Sequence, residues 1–335
     1  EMKMKKLTAL ILCIAITAGV LCACGGGEAA TNEVRVAYFP NITHAQALYM
    51  KDQGIFEKAL GDEYSVKWTA FNAGPAEVEA LFAGEIDLGY IGPVPAINAN
   101  VKSHGDVVII ANACNAGAVL LKSAGSDIKS VADLDGKKVS VPQLGNTQHL
   151  SLLDLLSENG LKPVSEGGTV DIVEVENADV QTMFDNGSIS AAIVPEPWGS
   201  ILEDKCGAKV VLDYDEIMAG GNYPTAVVVV RKDFMEANPE IVKAFLQAHL
   251  DATEYINAQS GEAIDIICRQ IEEATGKTYE ASVIDSAFSR LNITADIAED
   301  ALGEFAKVGV SQGFIATEPD EGYVDTGILK SLEQR

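Results

Sequence analysis

The stretch "VRVAYFPNITH" from Val34 returns, altered but in register, as "VSVPQLGNTQH" from Val139. Such a recurrence constrains the fold more tightly than any composition, because two copies of one supersecondary unit must build two copies of one substructure. In each copy, strand-like valines (Val34 and Val36, Val139 and Val141) run into Asn-x-x-His, as Asn41 with His44 and Asn146 with His149. Helical spacing then follows, ending at Gly54 or Gly160, residues suited to the left-handed position after a helix. A second pair of stretches extends the match. "EVEALFAGEIDLGYIGPVPAI" from Glu77 aligns with "DVQTMFDNGSISAAIVPEPWG" from Asp179, setting Pro93 against Pro195 and Pro95 against Pro197. With middle strands expected at "SVKWTAF" from Ser65 and "TVDIVEV" from Thr169, each half reads β-α-β-α-β. The expectation is an α/β fold of two similar lobes, each a parallel-type sheet covered by helices.

In a parallel sheet the βα loops open at the carboxyl edge, so the Asn-x-x-His and Pro-x-Pro loops of one lobe share an edge, and two lobes facing through those edges enclose a cleft. The run "VVIIANACNAGAVLL" from Val107 is interrupted by Asn112 and Asn115 and is shorter than the ~20 residues of a membrane span. It reads as two strands leaving lobe one, with "NYPTAVVVVR" from Asn222 returning. The expected division is residues 34–113 plus 224–335 for lobe one and 114–223 for lobe two, with closure about the two-strand hinge. Beyond Lys232 the apolar spacing is helical, with Pro239 at a helix start, and this tail is expected to pack on lobe one.

The loops suggest what the cleft holds. Asn41 to His44 and Asn146 to His149 open helices, where free N–H groups and the dipole can hold a sulfonate, nitrate or carboxylate without arginine. Thr43 and Thr147 serve equally as helix caps. His44 and His149, at helix starts, are expected as neutral donors. Further ligands for zinc cannot be placed, so neither metal nor cofactor is expected. In "AIVPEPWG" from Ala192, two prolines end an apolar strand around Glu196. Glu196 offers a fixed carboxylate for a ligand's amine and Trp198 an apolar wall. The alternative is that Glu196 meets the next helix's dipole and Trp198 fills the rim. The run Asp213-Tyr214-Asp215-Glu216 reads as a solvated turn.

Acidic residues outnumber basic ones, 49 to 24, which makes nucleic acid and anionic head groups poor partners. At the N-terminus, Lys3, Lys5 and Lys6 precede an apolar stretch from Leu7 to Val20 and then Leu21-Cys22-Ala23-Cys24. This resembles a bacterial lipobox, implying a signal peptide at 1–23, lipidation of Cys24 and a glycine-led flexible tether at 24–33. Cys114, Cys206 and Cys268, odd in number, read as buried free thiols. Gly-x-Ser-x-Gly, Walker, His-Glu-x-x-His and Gly-x-Gly-x-x-Gly signatures are all missing, which argues against an enzyme.

Taken together, the residues resemble the substrate-binding lipoproteins of bacterial ABC importers in the sulfonate, taurine and nitrate group, which includes relatives for thiamine-precursor pyrimidines. The most specific pieces are "GNTQHLSLLDLLSENGL" from Gly145 and "PEPW" from Pro195, supported by "FNAGPAEVEALFAGEIDLGYIGPVPAI" from Phe71. The resemblance implies a type II periplasmic binding fold and a cleft lined by Asn146, Thr147, Glu196 and Trp198, with Gly92 and Pro93 opposite. It implies a monomeric, lipid-anchored, extracytoplasmic receptor that hands a small solute to a permease and its ATPase. His149 departs from the pattern, since relatives often carry an acidic residue there, and the Cys-rich cluster of the pyrimidine-synthase relatives is missing. A ligand sensor and an exported enzyme on the same fold are the competing classes.

Overall fold

The two expected lobes are present in the computed structural model, which describes residues 32–334. The expected signal peptide, Cys24 and most of the tether lie outside the described residues. Among the described residues, eleven strands form two sheets: β1 (Asn32–Tyr38), β2 (Tyr64–Ala70), β3 (Leu88–Ile91), β4 (Val107–Ala116), β5 (Ala118–Lys122), β6 (Lys138–Val141), β7 (Asp171–Glu174), β8 (Ala191–Pro195), β9 (Lys209–Leu212), β10 (Pro224–Arg231) and β11 (Leu291–Ile293). The first sheet has the order β11-β4-β10-β3-β1-β2 and the second β7-β6-β8-β5-β9. The repeat is visible in these orders, because β2-β1-β3 and β7-β6-β8 are equivalent parallel triplets. The sheets are mixed, however: antiparallel β10 flanks β3, and antiparallel β5 flanks β8. The strands that cross between lobes also complete the sheets, which pure βαβ alternation does not reveal.

Strand character follows burial. Val227, Val228, Val229 and Val230 of β10 are fully buried, as a strand covered on both faces requires, whereas edge strand β2 is only partly covered. The outward crossing passes from β4 to β5 through Ala116 (φ 65°) and Gly117 (φ 81°). The positive φ of Gly117 suits glycine, and a Cβ there would lie 2.1 Å from Leu291 Cδ2, which would have to swing aside. The return crossing turns through Ala219, Gly220 and Gly221, all at positive φ.

The helical tail departs from expectation in where it packs. Helices Pro239–Ala258 and Ser260–Thr275 lie on Ala45–Gln53 of the first lobe as expected. The chain then crosses to the second lobe, where Tyr279 and Val283 join the apolar cluster around Val119, Val180, Trp198 and Ile201. Helix Glu299–Ser311 packs against Pro93–Lys102 of one lobe and Thr147–Glu158 of the other. Apolar surface on both lobes is thereby buried under the same tail.

Candidate functional site

All six parallel strands point their carboxyl ends into one buried space between the lobes, of about 340 Å³ with open solvent included. Helices Gly74–Phe82, Pro93–Lys102 and Thr147–Glu158 begin at its edge, as does Ala45–Gln53 after the single turn Ile42–His44, with Thr147–Glu158 the last in the chain. Asn146 caps the last of these, its Oδ1 accepting the N–H of His149 at 2.8 Å. Among the described residues, the amides of Thr147 and Gln148 have no protein partner and are left for whatever fills the cavity. The lobes touch here. Asn72 Nδ2 donates to Pro142 O at 3.1 Å, and Thr147 Oγ1 lies 3.4 Å from the Val94 amide.

Asn41, Thr43, His44, Gly92, Asn146 and Thr147 of the sequence-derived set line this cavity. Thr43 Oγ1 donates to Asn41 Oδ1. His44 is 1 % exposed and stacks on Phe39, with 4.4 Å between ring centres. Its Nδ1 accepts the Phe39 amide at 3.1 Å, which fixes the proton on Nε2, and burial pushes its pKa down to about 3. The imidazole is therefore a neutral donor. None of the lining side chains, among the described residues, carries a formal charge.

Four of the sequence-derived residues sit elsewhere. His149 turns away: its Nδ1 accepts the Gly145 amide at 3.0 Å and its ring packs on Phe314, burial lowering its pKa to about 4. The repeat in histidine thus reflects a shared tie to the preceding loop, and only His44 reaches the cavity. Pro93 starts its helix without lining the cavity, where Pro95 stands instead. Glu196 is fully buried, but its carboxylate is taken by Arg290 Nη1 at 2.7 Å and by the N–H (3.0 Å) and hydroxyl (3.1 Å) of Ser200. No carboxylate oxygen is left facing a ligand's amine, because the ion pair and hydrogen bonds already compensate its burial. Arg290 also meets Glu203 at 2.9 Å and Asp213 at 3.1 Å. Burial opposes its charge, but Glu196 and then Glu203 hold the guanidinium protonated. Trp198 borders an adjoining outer groove and meets Tyr279 edge-on.

The cavity also has members that sequence reasoning missed, among them Phe39, Asn72, Pro142, Gln148, Asn177 and Thr225. Asn72 and Asn177 follow the middle strands β2 and β7, so carrying the repeat through the third loop of each lobe would have found both. Asn177 is 5 % exposed and its Oδ1 lacks a partner. Behind the cavity, Glu77 is fully buried with both carboxyl oxygens unpartnered, and burial raises its pKa well above the carboxylate range. No group of three or more His, Cys, Asp or Glu able to hold a metal occurs among the described residues, and Cys114, Cys206 and Cys268 are free thiols.

Two α/β lobes, joined by crossing strands and closed over a cavity at their strands' carboxyl edge, define the periplasmic-binding-protein class of fold. Within that class the chain belongs to the NMT1-like family, whose model matches residues 27–271. It is 34 % identical to the taurine-binding periplasmic protein of Escherichia coli (strain K12), over 57 % of each chain. It is 29 % identical to a putative aliphatic sulfonates-binding protein of the same strain, over 65 % of this chain and 66 % of the relative. The match thus covers less than two thirds of either relative's length. Among solved structures, the alkanesulfonate-binding protein SsuA from Xanthomonas axonopodis pv. citri, bound to MOPS, superposes with a TM-score of 0.73 at 20 % identity, over 89 % of this chain and 99 % of that one. These relatives and this neighbour are binding proteins.

Proposed function

We propose that this protein is the extracytoplasmic solute-binding component of an ABC importer and that it takes a small organic sulfonate in the interlobe cavity. The observation that carries this is a buried cavity lined by neutral donors: the unpaired amides at the start of Thr147–Glu158, the Nε2–H of His44, the side-chain amide of Asn41, and the second side-chain N–H of Asn72 and of Asn146, whose first goes to Pro142 O and to Gln148 Oε1. Such a set suits a weakly basic oxyanion, whose diffuse charge needs hydrogen bonds and a helix dipole more than a counter-ion. A phosphate dianion would lack compensation there. Names of the relatives point the same way.

Thermal-shift and calorimetric titrations with methanesulfonate, taurine, nitrate and an aminopyrimidine test the reading. Methanesulfonate is expected to stabilise the protein by about 2.7 kcal/mol at 100 Kd. Taurine is expected to bind more weakly, because its ammonium meets no carboxylate in the lining. Stabilisation by the pyrimidine alone, or turnover of any of the four, would overturn the proposal. We further propose that the protein works as a monomer, held by a lipid on Cys24 beside its permease and ATPase. Cys24→Ala is then expected to move the protein from the membrane to the soluble fraction with binding unchanged.

A further inference from the structure

One acidic side chain stands close behind the anion cavity without entering it. Glu77 lies in the first turn of Gly74–Phe82, yet its carboxyl takes none of that helix's free amides, and both its oxygens are buried without a partner. A glycine makes the space it fills. A Cβ on Gly89 would lie 2.8 Å from Glu77 Oε1 and 2.6 Å from the Ala37 Cβ, so the carboxyl rests over β3 where it adjoins β1. On all three elements the cavity lining is within three residues, at Gly74 on the helix itself, at Gly92 beyond Gly89 and at Phe39 beyond Ala37. The carboxyl is thus about 5–10 Å behind the lining, one helical turn or two to three strand residues. Among the described residues no cation pairs with it. On the same face of the sheet, Arg35 and Arg231 both pair with Asp87 at the amino edge, Arg35 Nε donating to Asp87 Oδ2 at 3.0 Å. Glu33, Lys67, Glu79, Glu85 and Lys102 are exposed, where water screens them, and His44 is neutral. A fully buried carboxyl without a partner holds its proton, and burial alone raises the pKa of Glu77.

We propose that Glu77 controls the charge of the anion site: as the neutral acid it admits an anionic ligand, as a carboxylate it repels one, and anion binding therefore draws a proton onto Glu77 wherever the empty protein has lost it. This rests on the reading of the inner cavity as the anion site. One proton passes from the buffer to a Glu77 oxygen, and no other bond changes. Two like charges about 10 Å apart at an effective permittivity of about 20 set the two forms at least tenfold apart in affinity. By reciprocity, the bound anion strengthens the hold of Glu77 on its proton by the same factor.

Calorimetry on the whole protein with methanesulfonate, which does not itself titrate, from pH ~5 to ~9, the span that buried glutamates reach, tests the inference. Affinity is expected to fall about tenfold toward the alkaline end, with a proton uptake that shows as a different binding heat in buffers of different ionisation heat. Glu77→Gln, uncharged and of the same shape, should match the wild type at the acid end, keep that affinity to the alkaline end and take up no proton. Glu77→Met, unbranched and of similar length, supplies the same comparison if the amide variant does not fold. A wild-type affinity that is flat across the sweep overturns the inference and leaves the anion site standing. A fall shared equally by the wild type and the variants overturns it too, because the titrating group then lies elsewhere. Failure of methanesulfonate to bind at any pH overturns the anion site and the inference together.

Discussion

Glu77 is a carboxyl group that protein atoms surround without answering. With both oxygens buried and unpartnered, it keeps its proton in the folded chain at pH values where the unfolded chain has lost it. Its raised pKa therefore lends stability that is complete below the ordinary glutamate range and is lost progressively as pH rises toward the folded value. Buried His44 and His249 act in the opposite sense. Their pKa values are pushed by burial from 6.5 to about 3 and about 4, so stability present above about 6.5 is lost as pH falls through that window. Glu77→Gln keeps shape and hydrogen-bonding capacity while removing the titration. The variant is expected to flatten the alkaline decline of unfolding free energy and to leave the acid limb unchanged, as denaturant melts at several pH values would read out. An unaltered alkaline limb would show that Glu77 is ionised in place. The sequence disclosed Glu196 at a strand's end, but its partner Arg290 lies in a distant tail segment, so a residue read as a free ligand group is already spent.

Helix starts and strand ends were largely readable from the chain, because the repeat fixes which loops share an edge and because Asn146, Gly54 and Pro239 are terminus signals in their own right. The sheet neighbours of β5 and β10 were not, since antiparallel pairing between strands far apart in the chain leaves no local signature. Nor was the close approach of the two lobes. Gly92 caps Pro93–Lys102 with an ordinary backbone (φ −66°), so no left-handed turn explains a glycine there. A Cβ at this position would lie 2.5 Å from Thr147 Oγ1, on the facing lobe. Gly92→Ala is thus expected to hold the closed lobes apart and weaken ligand binding by about tenfold, the effect of some 1.4 kcal/mol. Its unliganded melting temperature should hardly change, because neither lobe's own core is touched. A large drop in that temperature would place the cost inside a lobe.

The tail makes the two lobes one object, and Arg290 is its firmest attachment. Beside β11 of the first sheet, it carries its charge to Glu196, Glu203 and Asp213 of the second lobe. Arg290→Ala would leave the fully buried Glu196 with only Ser200, which is expected to cost about 3 kcal/mol in denaturant unfolding. Adding Glu196→Gln should return part of that loss, and simple additivity of the two changes would show that the pair does not interact. The order of strands in the sheets has another consequence, for a chain that emerges from its N-terminus. Every strand of the second sheet lies between residues 118 and 212, so that lobe can close on itself as soon as it is out. The first sheet cannot, because β10 sits between β3 and β4 and comes after the whole of the other lobe. Its earlier strands must wait with an empty slot at their centre, exposed to stray pairing until Pro224–Arg231 arrives. The half of the molecule made first is therefore the half that needs escorting longest.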